Sequence, residues 1–274
     1  FCNSGAEAVE AGIKIVRKYQ AATGHPERYR IISFDSSFHG RTLSTIAAAN
    51  NAAHIAGFGP MPDGFDQVPF GNLNELRNAI TPETAGIIVE PIQGEGGIRP
   101  SNAAFLKGLR EACDEFGLLL FFDEVQTGIG RVGKLFAYES FGVEPDIMSL
   151  AKGLGGGFPV GACLATEKAA VGITPGTHGS TFGGNPLAMA VANTVMDVLQ
   201  EDGFLAGVRE MGERLFASMI KFSGDHPGAF EDVRGAGMMI GLKCIPPAGD
   251  FVAACREEGL LTVPAGDNVM RLLR

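Results

Sequence analysis

Apolar residues fall in two rhythms along the 274-residue chain. Short apolar runs bounded by turn residues, Arg30–Phe34, Gly86–Glu90, Leu118–Phe122, Ile147–Leu150 and Val160–Leu164, have the length of buried strands. Segments with apolar positions three and four residues apart, Ser4–Ala22, Leu73–Ala79, Asn102–Glu115 and Pro186–Leu199, predict helices. Short apolar strands separated by helices imply an α/β fold, with a mostly parallel sheet covered by helices on both faces. After Gln200 the texture changes. A helix over Phe204–Phe222 precedes strand candidates Val233–Leu242 and Leu260–Val263, a helix near Phe251–Glu258 and a short strand at Val269–Leu273. This tail reads as the start of an α+β domain, dividing the chain into 1–199 and 200–274.

Composition narrows the function classes. With 45% hydrophobic and 19% charged residues the chain can bury a large core. The net charge is −9 and no basic run exists, which argues against nucleic acid and anionic membranes as partners. The longest uncharged stretch, between Lys168 and Asp197, is broken by Pro175, His178, Asn185 and several glycines, so it is not a membrane span. The five cysteines are scattered and lack C-x-x-C spacing, a usage that fits a reducing cytoplasm and argues against a disulfide framework or a zinc site. Glycine is the outlier at 39 residues, roughly double the usual share, without a collagen period and concentrated between Gly94 and Gly184.

The chemistry concentrates on two residues. Asp123 directly follows the apolar run LLLFF, and Lys152 follows DIMSLA and precedes GLGGG. Both sit where strands run out into loops, the edge at which open α/β sheets bind ligands. A lysine in an uncharged, glycine-rich setting is a candidate Schiff-base former, because desolvation frees its amine. A carboxylate flush against a buried strand needs a cationic partner, and the pyridinium nitrogen of pyridoxal 5'-phosphate (PLP) would serve. Either residue alone fits equally well a surface lysine or a structural aspartate.

Other motifs add to the pair. In NSGAEA, Ser4 and Glu7 have capping-box spacing, and Gly5 lets backbone N–H groups approach an anion at the helix start. FHGRT places Phe38, which could cover a planar ring, beside Arg41, suited to a carboxylate. EPIQGEGG supplies two carboxylates and a flexible turn after a strand, and HGSTFGGNP puts Ser180 and Thr181 in a glycine loop before a helix capped by Asn185. The runs GLGGG and GEGG fit neither the dinucleotide fingerprint nor the P-loop, and no G-x-S-x-G elbow is present.

Taken in order and spacing, NSGAEA, FHGRT, EPIQGEGG, FDEVQTGIGRVG, AKGLGGGFPVGA and HGSTFGGNP resemble the class III PLP-dependent aminotransferases of fold type I, over effectively the whole chain. The resemblance implies that Lys152 holds PLP and moves the proton between substrate and cofactor, with Asp123 paired to the pyridine nitrogen and Gln126 near the ring hydroxyl. It implies cofactor contacts along Asp123, Glu124, Val125 and Gln126, phosphate binding by Gly5 and Ala6, and stacking by Phe38. It implies a homodimer in which Thr181 reaches the phosphate held by the neighbouring subunit. Arg41 and Ser180 would lie at the substrate, Arg271 would clamp a carboxylate, and Glu95 would screen that arginine while the other substrate is bound. The implied reaction moves a terminal amino group to 2-oxoglutarate, with N-acetylornithine the expected donor. Ornithine, succinylornithine, succinyl-diaminopimelate and GABA are the alternative donors, and a non-catalytic PLP-binding fragment is the alternative of another class. The resemblance also implies that the 274 residues are the central part of a longer enzyme.

Overall fold

The computed structural model describes residues 1–273. Its first body is a six-stranded sheet in the order β2-β1-β3-β6-β7-β8, with β1 Arg30–Phe34, β2 Phe65–Val68, β3 Thr84–Val89, β6 Leu119–Asp123, β7 Ile147–Leu150 and β8 Ala162–Ala165. All neighbours in it are parallel except β7 and β8. A two-stranded ribbon, β4 Ile92–Gln93 with β5 Arg99–Pro100, follows β3.

The central strands are apolar without alternation because both faces are covered. Every residue of β3 and β6 is buried. The period of two survives in where the side chains go. Leu120 and Phe122 join Ile87 and Val89 under α4 (Leu73–Ala79) and α5 (Ala103–Phe116), meeting Leu76, Leu106 and Leu109. Leu119 and Phe121 join Ile31 and Ile88 on the opposite face, under α1 (Gly5–Ala22), meeting Val9, Ile13 and Val16. Two short helices, α2 Leu43–Ala49 and α3 Ala52–Ile55, follow β1, and a single turn, α6 Tyr138–Phe141, follows the loop after β6.

Helices α7 (Pro186–Leu199) and α8 (Phe204–Asp225) lead into a second sheet. It is antiparallel, in the order β11-β12-β10-β9, with β9 Phe230–Ala236, β10 Met239–Cys244, β11 Val263–Ala265 and β12 Val269–Leu273. Phe230, Leu242, Val252 and Met270 join this sheet to α9 (Ala248–Glu257) in a separate apolar cluster.

Two expectations need correction here. The apolar run Val233–Leu242 is a hairpin rather than one strand, because Gly237 takes φ +54° and reverses the chain between β9 and β10. The strand expected at Leu260–Val263 lies later, at Val263–Ala265, while Leu260 and Leu261 are exposed. The short elements α2, α3, β2, β4 and β5 carry too little periodicity to be read from sequence. No helix among the described residues is long and apolar enough to cross a membrane.

Candidate active site

The carboxyl ends of β1, β3, β6 and β7 open on one cleft of about 330 Å³. It is the place the switch from strand to loop leaves free in a parallel sheet. Strand β6 delivers Asp123, β7 delivers Ala151 and Lys152, and β3 delivers Glu90. The loop after β1 delivers Phe38 and His39, and Ser4, Gly5 and Ala6 at the start of α1 close another side.

Asp123 is buried and aimed by three donors. Its Oδ1 accepts from the Val125 N–H at 3.1 Å and from the Ser149 hydroxyl, across the strand pair, at 3.0 Å. Its Oδ2 accepts from His39 Nδ1 at 2.8 Å. Lys152 has φ +45°, the left-handed region that non-glycine residues rarely occupy, and this places its side chain in the cleft. Burial pushes its pKa below the ordinary lysine value, against Asp123, Glu95 and Glu90, while Arg271 works in the same direction as burial. Glu90 is pushed up to about 7, first by burial and then by Asp123, although His39 and the N–H groups of Phe38 and Gly94 favour its charged form. The His39 pKa is raised: burial opposes the charged ring, but Asp123 and Glu90 outweigh it.

Ser4 caps α1 by accepting from the Glu7 N–H, while Glu7 reaches back to the Asn3 N–H. The Gly5 and Ala6 amides then have no acceptor within the helix, and they face the cleft beside the positive end of the helix dipole. Gly5 permits this approach, since a Cβ there would stand 2.7 Å from Val125 Cγ1. Gln126 also lines the cleft, and its buried Oε1 has no partner in the protein. An anion site, an aromatic ring, a carboxylate, a lysine amine and an orphaned amide oxygen in one cleft fit PLP.

Other expected residues lie outside the lining of this cleft. Glu124 does not face the cleft: its buried carboxylate accepts from the N–H groups of Ala137 and Tyr138, at 2.6 and 2.8 Å, and from Thr127. Its carboxylate thus shapes the loop after β6. Arg41 is exposed, with its guanidinium 5.5 Å from the Phe38 ring centroid. Ser180 accepts from the Asn3 side chain at 3.3 Å, and Thr181 is exposed and outside the cleft. Arg271, buried on β12, pairs through both Nη atoms with Glu95, at 2.7 and 3.0 Å. His39, Glu90 and Ser149 lie inside the motifs FHGRT, EPIQGEGG and DIMSLA, and no local pattern in the sequence marks their contacts. The G-x-G-x-x-G spacing at Gly128–Gly133, inside FDEVQTGIGRVG, lies in consecutive turns rather than at the start of a helix.

Comparison with known proteins agrees with this cleft. Residues 1–274 match the aminotransferase class-III family. Acetylornithine aminotransferase 1 of Bradyrhizobium diazoefficiens is 59% identical over 273 residues, covering 100% of this chain and 67% of the relative. Acetylornithine aminotransferase of Brucella melitensis is 56% identical, covering 100% and 68%. Among solved structures, ornithine aminotransferase from Toxoplasma gondii superposes with a TM-score of 0.93 at 33% identity, covering 99% of this chain and 66% of that one. N-acetylornithine aminotransferase from Stenotrophomonas maltophilia superposes with a TM-score of 0.82 at 38% identity, covering 99% and 67%. The chain thus spans about two thirds of the length of these relatives. With the motifs, the sheet and the cleft in agreement, the chain belongs to the class-III aminotransferases.

Proposed function

We propose that the protein is a PLP-dependent transaminase that moves the terminal amino group of N-acetylornithine to 2-oxoglutarate, giving N-acetylglutamate 5-semialdehyde and glutamate. The observation that carries the reading is one cleft holding Lys152, Asp123 and the α1 N-terminus. Identities of 50–59% to relatives named acetylornithine aminotransferase support the choice of donor.

Gly5 and Ala6 would hold the cofactor phosphate, Phe38 would cover the ring, Asp123 would face its nitrogen, Gln126 its hydroxyl, and Lys152 would be its attachment point. When bound, PLP supplies a conjugated ring that draws charge away from the carbon carrying the amino group. Lys152 Nζ, with its pKa lowered, would be the base that takes up and returns a proton at the carbon carrying the amino group. Asp123, held through both oxygens, offers fixed negative charge to a cationic ring nitrogen. Arg271 is suited to a substrate carboxylate, and Glu95 neutralises it when the substrate presents a neutral tail there.

Thr181 stands exposed outside its own cleft, and Phe182 and Leu187 near it are 70% and 62% exposed. This supports a homodimer in which Thr181 and Ser180 serve the neighbouring cleft, with Arg41 at the rim. Five free cysteines support a cytoplasmic setting.

The test is a visible absorbance band on adding PLP, lost on borohydride reduction and in Lys152→Ala, together with turnover of N-acetylornithine against ornithine, succinylornithine and GABA. A band without turnover would support a cofactor-binding fragment instead. No band in the unsubstituted protein would overturn the PLP reading.

A further inference from the structure

We propose that Glu124 is a positioning residue: by closing the loop after β6 on itself, it fixes Gln126 in the cleft and Ile129 behind Lys152. The catalytic consequence rests on the transaminase reading, whereas the closed loop is a property of this chain.

Glu124 is 1% exposed, and its carboxylate collects three donors, all uncharged. Oε2 accepts from the Ala137 N–H at 2.6 Å and from the Thr127 hydroxyl at 3.2 Å, and Oε1 accepts from the Tyr138 N–H at 2.8 Å. Its own N–H is tied to the Ser149 carbonyl on β7, and its carbonyl accepts from the Gly128 N–H. One side chain thus joins the start of the loop to its end, 13 and 14 residues along. The nearby Glu139 is of like charge and is occupied by the Phe136 N–H. Burying a carboxylate without a cation is costly. An amide would avoid that cost, but it accepts at one end only and would set its NH2 against a donor at the other. The arrangement requires an end group with acceptors on both sides and no hydrogen.

Two residues of the closed loop reach the cleft and its floor. Gln126 lines the cleft and packs on Gly94, where a Cβ would stand 1.7 Å from its Oε1, so it has no slack. Ile129 is 7% exposed and has φ +56°, which a β-branched residue takes only when its surroundings impose it. It rests on Gly153, where a Cβ would stand 3.2 Å from the Ile129 Cβ. Gly153 follows Lys152, itself at φ +45°. Opening the loop would therefore release the amide facing the ring hydroxyl and the support beneath the lysine together.

The experiment compares Glu124→Gln with Val252→Ala, a change in the separate apolar cluster of the second sheet that lowers stability without touching the loop. Measurements are made at about pH 8, above the value of about 7 to which burial raises the Glu124 carboxyl. Without PLP, the Ala137 and Tyr138 amides should exchange slowly in the unsubstituted protein and at least about tenfold faster in Glu124→Gln, but not in Val252→Ala. PLP affinity, read by titrating the visible band, should fall by about 10- to 100-fold in Glu124→Gln, and the circular dichroism of that band should change. Thr127→Val, which removes only the side-chain donor, should shift both in the same direction by less. If Glu124→Gln does not fold, Thr127→Val must still bind PLP more weakly than a Val252→Ala protein of no greater urea stability. Equal PLP affinity and an unchanged dichroic band in Glu124→Gln, or amide exchange no faster than in Val252→Ala, overturns the proposal. Absence of a band in the unsubstituted protein would sink the PLP reading, and the amide exchange would still decide the closed loop.

Discussion

Glu90 shows how a single buried group ties stability to pH. Burial raises its carboxyl from 4.5 to about 7, so the folded chain holds a proton that the unfolded chain releases between those values. The resulting stabilisation is complete below about pH 4.5 and is lost as pH rises through about 7. Glu124 is shifted in the same direction by its own burial. Urea unfolding of the cofactor-free protein should therefore give a lower free energy at about pH 8 than at about pH 5, with a smaller difference in Glu90→Gln. An unchanged difference would mean that Glu90 does not titrate there. Asp123 and Lys152 were legible as chemistry because strand ends and a glycine run frame them. His39 and Glu90 were not, because their roles exist only where loops from two strands meet.

At the scale of elements, α1 serves two purposes with one geometry. Its start presents free amides to the cleft, and its body lies flat on β6. Gly12 permits the close approach, since a Cβ there would overlap the fully buried Phe121 ring. Gly12→Ala gains about 1 kcal/mol of helix propensity but overpacks the interface by about 1–3 kcal/mol. The expected net result is a loss of stability and weaker PLP binding, read by urea unfolding and by titration of the visible band. A variant more stable than the parent would show that the ring can move aside. The long helices and central strands were readable from periodicity, with ends shifted by up to three residues. The β9–β10 hairpin was not, because no turn motif other than Gly237, at φ +54°, marks where β9 ends and β10 begins.

At the scale of the molecule, the Glu95–Arg271 pair links the turn of the β4–β5 ribbon, which follows β3 of the first sheet, to β12 on the second. The Gly266 N–H donates to the Glu95 carbonyl at 2.8 Å beside it, so the two bodies meet where substrate specificity would be set. In Glu95→Gln the arginine loses its charged partner. The half-reaction with N-acetylornithine should slow by about tenfold or more, while the half-reaction with glutamate should be maintained or improved, as single-turnover absorbance changes would show. Equal effects on both half-reactions would refute masking by Glu95. By itself, the sequence determined the α/β class, the spacing of the strands, and the types of group at their ends, because burial on both faces and glycine-rich turns leave local patterns. Only the tertiary structure decided that the Glu124 carboxylate turns away from the cleft and that His39 meets Asp123, and it gave the Glu95–Arg271 pair its two-pronged geometry. These contacts join residues from 13 to 176 positions apart, and their partners are chosen by how the layers pack rather than by any local rhythm.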